Sequence, residues 1–178
     1  MPSIILTLIG PDRPGLVESV ARIVSEQDGN WLESRMSHLA GHFAGIARVE
    51  VVDSQVESLT AALATLESEG ITVVARRDEA MPEAVDPQST VWMELVGNDR
   101  PGIVSEISRV LAEQNVNVEE FQTECTGAPN SGAQLFRAHA QLRTAPDYTI
   151  DKLQSALEAI AVDLMVDIKL APDETSAE

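Results

Sequence analysis

Ile4 to Ile9 is a short β-branched apolar run, and the next apolar residues, Val17, Val20, Ile23 and Val24, return at the spacing of one helix face. The first pattern predicts a strand and the second an amphipathic helix. Asn30 to Leu39 and Phe43 to Val52 predict two strands joined around Ala40-Gly41-His42, with Phe43, Gly45, Ala47, Val49 and Val51 alternating onto one face. Val56, Leu59, Leu63 and Leu66 then step at helical spacing to a stop at Gly70, and Ile71 to Ala75 supplies a fourth branched, apolar run. The first half therefore reads βαββαβ.

The same order then begins again. Val91 to Val96 predicts a strand, Ile103, Ile107, Val110 and Leu111 a helix face, and Val116 to Cys125 with Gln134 to Leu142 a hairpin. Thr126 to Gly132 forms its longer, turn-rich connection; Ile150, Leu153, Leu157 and Ile160 predict the last helix and Leu164 to Leu170 the closing strand. At the first strand-to-helix junction, Gly10-Pro11-Asp12-Arg13-Pro14-Gly15-Leu16 is matched by Gly97-Asn98-Asp99-Arg100-Pro101-Gly102-Ile103. A shift of 87 residues also aligns Arg22 with Arg109, Glu26 with Glu113, Asn30 with Asn117 and Glu33 with Glu120. The chain is a duplication.

Repeats of this length are small domains rather than solenoid units. The expected division is an N-terminal domain over 1–78, an acidic linker with two prolines over 79–88, a C-terminal domain over 89–171 and a polar tail over 172–178. Two split βαβ units imply an α+β, ferredoxin-like architecture, in which each four-stranded antiparallel sheet carries both helices on one face. Units this small bury a modest core alone, so the halves are expected to pack together. Pairing their edges into one sheet would also remove an exposed edge from each.

Charge narrows the function. Asp and Glu number 29 against 12 Lys and Arg, a formal net charge of -17, and Arg76-Arg77 is the only adjacent basic pair. Binding nucleic acid requires a basic patch that neutralises phosphates, which argues against direct contact with DNA. The start, Met1-Pro2-Ser3-Ile4-Ile5-Leu6, has neither a basic leader nor a signal cleavage site, and no apolar run is of membrane-spanning length, so a soluble cytoplasmic protein is expected. Cys125 is the sole cysteine and has no basic neighbour in sequence, so it reads as an ordinary strand residue rather than a reactive thiol.

The repeated turn is the feature with chemistry in it. Its pattern places Pro14 in the first turn of the helix, Gly15 just inside it and Asp12 as its cap. A glycine there leaves the first N–H groups uncrowded, so that the positive helix end favours a carboxylate or phosphate while Asp12 or Asp99 holds an ammonium. Acid and amine together describe an α-amino acid. The competing reading is structural: Asp caps, Pro starts and Gly permits close packing. Asn30 and Asn117, each following a helix, read either as left-handed caps or as amides turned toward the same ligand.

An apolar strand, then G-x-D-R-P-G-[LI], a helix and an Asn before the second strand resembles the ACT domain family across nearly the whole chain. That resemblance implies that small ligands, most often amino acids with glycine favoured here, bind near the strand-to-helix loop at an interface between ACT domains. The ligand-facing set it implies is Asp12, Arg13, Pro14, Gly15, Leu16 and Asn30, with Asp99, Arg100, Pro101, Gly102, Ile103 and Asn117 in the second copy. Pro11 in one copy and Asn98 in the other leave the two sites inequivalent. A chain of two such domains resembles members that hold a DNA-binding transcriptional activator, here one of glycine cleavage genes, instead of touching DNA. The alternative is a regulatory subunit that modulates a metabolic enzyme.

Other constellations carry less. His38 and His42 are four apart, a metal-ligand spacing on a helix, but they flank a strand turn, and no metal or cofactor is expected. His139 falls on the second hairpin where Arg48 falls on the first and reads as a polar strand position. Trp31 and Trp92 read as core or interface anchors. No Ser-His-Asp or Cys-His arrangement presents itself, so an enzyme is not expected.

Overall fold

The computed structural model describes residues 2–78, 89–127 and 134–172. The chain divides into two compact units, Met1–Glu83 and Ala84–Glu178. The expected linker at 79–88, most of the long hairpin connection and the tail beyond Pro172 lie outside the described residues.

In the first unit the order is β1 (Ser3–Pro11), α1 (Leu16–Glu26), β2 (Asn30–Leu39), β3 (His42–Glu50), α2 (Val56–Ala64) with a 3₁₀ extension over Thr65–Glu69, and β4 (Thr72–Arg77). The second unit repeats it as β5 (Ser89–Asn98), α3 (Ile103–Glu113), β6 (Asn117–Gly127), β7 (Gln134–Thr144), α4 (Ile150–Leu164) and β8 (Val166–Pro172). Both sheets are antiparallel, ordered β2-β3-β1-β4 and β6-β7-β5-β8. This is the expected ferredoxin-like plan, twice.

Alternation along the strands decides which face is covered. Ile4, Leu6 and Leu8 of β1 are buried with Ala47 and Val49 of β3, and they pack under Val20, Ile23 and Val24 of α1 and Leu59 and Leu63 of α2. The second core repeats this with Val91, Met93 and Leu95 under Ile107, Leu111, Leu153 and Leu157. Residues of opposite parity, such as Ile9 at 49% and Trp92 at 43% relative exposure, lie on the bare sheet face. Trp31, by contrast, packs against the first core.

Four local expectations change. Val17 is 40% exposed and Leu16 is buried instead, because α1 starts at Leu16 and its face runs through 16, 20, 23 and 24. Leu164 ends α4 rather than starting a strand, since Met165 takes φ 55 and breaks the helical path. The left-handed residues after α1 and α3 are Asp28 and Asn115, both at φ 54; Asn30 and Asn117 already open strands. Finally, strand pairing puts Arg48 opposite Ile5 and Gln141 opposite Trp92, so His139 corresponds to Ile46 and not to Arg48.

The hairpin β2–β3 closes through Ala40 at φ 50 and Gly41 at φ 79, the two consecutive positive φ values of a type I′ turn. Both β2 and β6 carry a register shift at the same place, between Trp31 and Glu33 and between Val118 and Glu120. The extra residue resets the side-chain parity and sharpens the local twist.

Leu6 is 0% exposed, so Leu6→Ala is expected to lower unfolding stability by about 2–5 kcal/mol. Ile9→Ala, on the open face, should change it by about 0.5 kcal/mol or less. Urea denaturation followed by circular dichroism compares the two.

Candidate functional site

Each turn is built by a proline and a glycine that do different work. Gly15 adopts φ 90, ψ -5 and Gly102 φ 98, ψ -10, values of the third position in a type II turn, in which Pro14 or Pro101 supplies the second. The left-handed glycine is therefore the N-cap, and the helix begins one residue later. Pro14 consequently precedes the helix instead of opening its first turn, because a left-handed residue cannot lie inside a right-handed helix.

The helix entrance is bare. The first helical backbone bond runs from Ser19 N to Gly15 O at 2.9 Å, and from Glu106 N to Gly102 O at 3.0 Å in the second unit. The N–H groups of Leu16, Val17 and Glu18 thus lack intrahelical acceptors, as do those of Ile103, Val104 and Ser105. Among the described residues no side-chain hydrogen bond caps either helix, and the N-cap positions are Gly15 and Gly102, so Asp12 does not act as the cap. A Cβ added at Gly15 or Gly102 would meet no heavy atom within 4 Å. Bare amides and a positive dipole end suit an anionic group.

Asp12 and Asp99 are anchored by their backbones beside this entrance. Asp12 N donates to Gly41 O and Asp99 N to Gln134 O, each at 2.9 Å, tying the turn to the tip of the hairpin. Their exposed carboxylates remain at the surface. The following arginines point elsewhere. Arg13 Nη2 donates to Glu69 O at 3.2 Å and pairs with Glu69 Oε2 at 3.1 Å; Arg100 Nη1 donates to Asp163 O at 2.6 Å. Both reach the carbonyl end of their unit's second helical segment, where a cation is favourable. The shared arginine is thus a staple between turn and helix, a role the sequence signal did not distinguish from ligand binding.

The side chains of Leu16 and Ile103 are 3% and 2% exposed and belong to the cores, so only their amides face the turn. Asn30 and Asn117 are exposed at the starts of β2 and β6. Asn117 Nδ2 donates to Glu119 Oε1 at 2.7 Å, and Glu119 also pairs with Arg143 at 2.8 Å. His38 and His42 fall on opposite faces of the hairpin by strand alternation, which removes the pairing that metal binding would need. His42 Nδ1 instead lies 3.2 Å from Ala40 O. Among the described residues no group of three metal-ligating side chains occurs.

The second turn has a neighbour the first lacks. The Cys125 thiol lies at the surface, and partial loss of solvation, followed by the charge of Asp99 and a hydrogen bond donated to it, holds its pKa above the usual thiol value. His38 holds the equivalent strand position in the first unit, since His38 and Cys125 lie opposite Phe43 and Phe136. The two carboxylates at the turns therefore sit in different surroundings.

Two ferredoxin-like units, each with an uncapped helix opened by a left-handed glycine, define a tandem pair of one domain type. Residues 3–75 and 91–144 each match the ACT domain family, and with most of its length covered the chain belongs to that family. The chain is 25% identical over 165 residues to the glycine cleavage system transcriptional repressor of Escherichia coli K12, covering 90% of this chain and 85% of the relative. A solved structure of an unknown protein from Galdieria sulphuraria superimposes with a TM-score of 0.81 at 29% identity, over 97% of this chain and 98% of that one. A structure provisionally assigned as a glycine cleavage system transcriptional repressor gives 0.74 at 18% identity over 97% of each chain, a likeness of fold.

A raised thiol pKa leaves little thiolate near neutrality, so Cys125 should alkylate more slowly than a free cysteine and accelerate only as the pH climbs above the usual thiol range. Asp99→Asn removes the raising charge and should speed iodoacetamide labelling at fixed pH. Labelling at the unperturbed rate in the parent protein would contradict the Asp99 contact.

Proposed function

We propose that this chain is a non-catalytic, amino-acid-sensing regulator that acts in the cytoplasm by contact with a DNA-binding transcriptional activator of glycine cleavage genes. The observation that carries the reading is the doubled turn, in which unpaired helix amides open beside an aspartate. A carboxylate of the ligand takes the amides of residues 16–18 or 103–105, and its ammonium takes Asp12 or Asp99. Glycine is the favoured ligand by resemblance to the glycine cleavage system repressor.

Within this reading the ligand-facing set is Asp12, Pro14, Gly15, the Leu16 amide and Asn30, with Asp99, Pro101, Gly102, the Ile103 amide and Asn117 in the second unit. Arg13 and Arg100 position the turns from behind. The Cys125 thiol beside Asp99 makes the two sites inequivalent. The domains extend over 1–78 and 89–171. The relative's printed role as a repressor supports transcriptional control, and the net charge of -17 supports a protein partner over DNA. Regulation follows if the amino acid and the activator prefer different states of the chain, since a ligand without such preference shifts nothing.

Calorimetric titration with each of the twenty amino acids should find glycine or another small amino acid binding with a Kd below about 1 mM. Gly15→Val and Gly102→Val force a branched residue into left-handed backbone, and each should abolish binding at its own site. Silence from all twenty titrations would remove the sensing role. Affinity capture on the immobilised protein should retain a DNA-binding activator in a manner that the bound amino acid changes. Retention of a biosynthetic enzyme instead would replace this reading with enzyme regulation.

A further inference from the structure

Where α4 gives way to β8, the second unit exposes two large apolar side chains side by side. Val162 is 80% exposed and Met165 59%. Both line a cavity of about 560 Å³ that is rimmed by Glu158 and Asp167 and backed by the buried Val166 and Ile168. None of residues 99–103 lines this cavity, so it is separate from the glycine turn.

The first unit shows that the fold does not require these residues. Gly10 approaches Gly70 and Ile71 as Gly97 approaches Met165 and Val166, which makes Met165 the counterpart of Gly70. The backbone bond that closes each segment runs from Gly70 N to Glu67 O at 3.0 Å and from Met165 N to Val162 O at 3.2 Å, so Val162 is the counterpart of Glu67. A carboxylate and a glycine in one copy thus become two exposed apolar side chains in the other. Met165 also holds φ 55, left-handed backbone that Gly70 adopts at φ 81 without the strain a Cβ brings. Both side chains are too exposed for packing within the unit to account for them.

Charge selects the occupant. Glu158 accepts from the uncharged Gln154 Nε2 at 2.8 Å, a bond that leaves its charge unneutralised, and Asp163 is exposed on the adjoining turn. No basic residue stands in the last turn of α4, where the carbonyl end of the helix is negative. The neighbouring cations are Arg100, whose Nη1 donates to Asp163 O at 2.6 Å, and Lys169, which lies opposite Glu94 in the β5–β8 register. Glu94, Glu158, Asp163 and Asp167 outnumber them, so the surroundings of the apolar pair are acidic.

We propose that this end of the second unit is the docking surface for a cationic, apolar-bearing segment of a protein partner, an assignment that rests on the regulatory function proposed for the chain. Apolar side chains of the segment cover Val162 and Met165, and its lysines or arginines meet Glu158, Asp163 and Asp167. An apolar centre inside a polar rim is the anatomy of protein interfaces, and strained backbone persists where a contact makes use of it.

The test is titration of the full-length ¹⁵N-labelled protein with a short amphipathic peptide of lysine and leucine, read by amide chemical shifts, with an all-lysine peptide and a glutamate–leucine peptide as controls. Shifts should saturate within residues 158–168 and leave β1 and β3 unmoved, and both controls should bind about tenfold more weakly or worse. Val162→Glu and Met165→Gly install the first unit's residues, which this fold already accommodates. Each should weaken the peptide about fivefold or more, although Val162→Glu makes the protein more acidic. Met165→Gly should also raise the melting temperature by about 2–4 °C. Equal or tighter binding to Val162→Glu would leave only general attraction to an acidic chain, and a lower melting temperature for Met165→Gly would make Met165 a structural residue; either result overturns the proposal. So would the lack of a saturable shift up to about 1 mM peptide, or self-association of the parent protein that Val162→Glu abolishes, which would give the surface to a second copy. Capture of the activator on parent and Val162→Glu protein separates this surface from the regulatory role. Retention by the parent alone supports both, and retention by both proteins overturns the surface while the role stands. Retention by neither overturns the role, while saturation by the peptide still upholds the surface.

Discussion

Each unit turns on one backbone requirement: the residue between its first strand and first helix must sit at positive φ. Gly15 and Gly102, at φ 90 and 98, meet it without the steric cost that a Cβ brings to left-handed backbone. The proline before each glycine narrows the turn further, since its ring fixes φ. Because the cap is a glycine, the helix gains no side-chain acceptor for its first amides, and the same requirement that forms the fold leaves a polar helix end facing outward. Geometry and chemistry have one origin here.

The surrounding contacts hold that turn from three sides. Leu16 and Ile103 anchor the helix start in the core, the hairpin tip accepts from Asp12 or Asp99, and Arg13 or Arg100 reaches the end of the second helical segment. Close packing sharpens the design at Gly97, where an added Cβ would fall 2.5 Å from Val166 Cγ1 and 2.6 Å from the Met165 carbonyl oxygen. A strand glycine therefore lets β5 and the α4–β8 junction approach, and a side chain there would force them apart.

Duplication preserved this frame and let the exposed surfaces diverge. The buried positions of the two sheets stay apolar, while the open faces trade Arg35, Arg48 and Arg76 for Gln122, Gln141 and Ala171. The turns also differ in their neighbours, with Cys125 donating to Asp99 where His38 stands in the other copy. Selection on packing acts alike on both cores, and no such constraint reaches the bare faces.

Periodicity determined the order of elements, because period 2 and period 3.6 are local properties written in which residues must leave water, and the repeated G-x-D-R-P-G motif determined the two-unit plan, the place of the turn and the resemblance to the family. Tertiary structure decided what local pattern does not encode. Whether Leu16 or Val17 faces the core depended on where Gly15 ended the turn, and whether Arg13 served a ligand or a helix end depended on Glu69, distant in sequence. Likewise, Arg48 and Arg76 flank one isoleucine only because β3 and β4 pair on either side of β1. Such contacts arise from strand register, and register is set by the whole sheet rather than by any single segment.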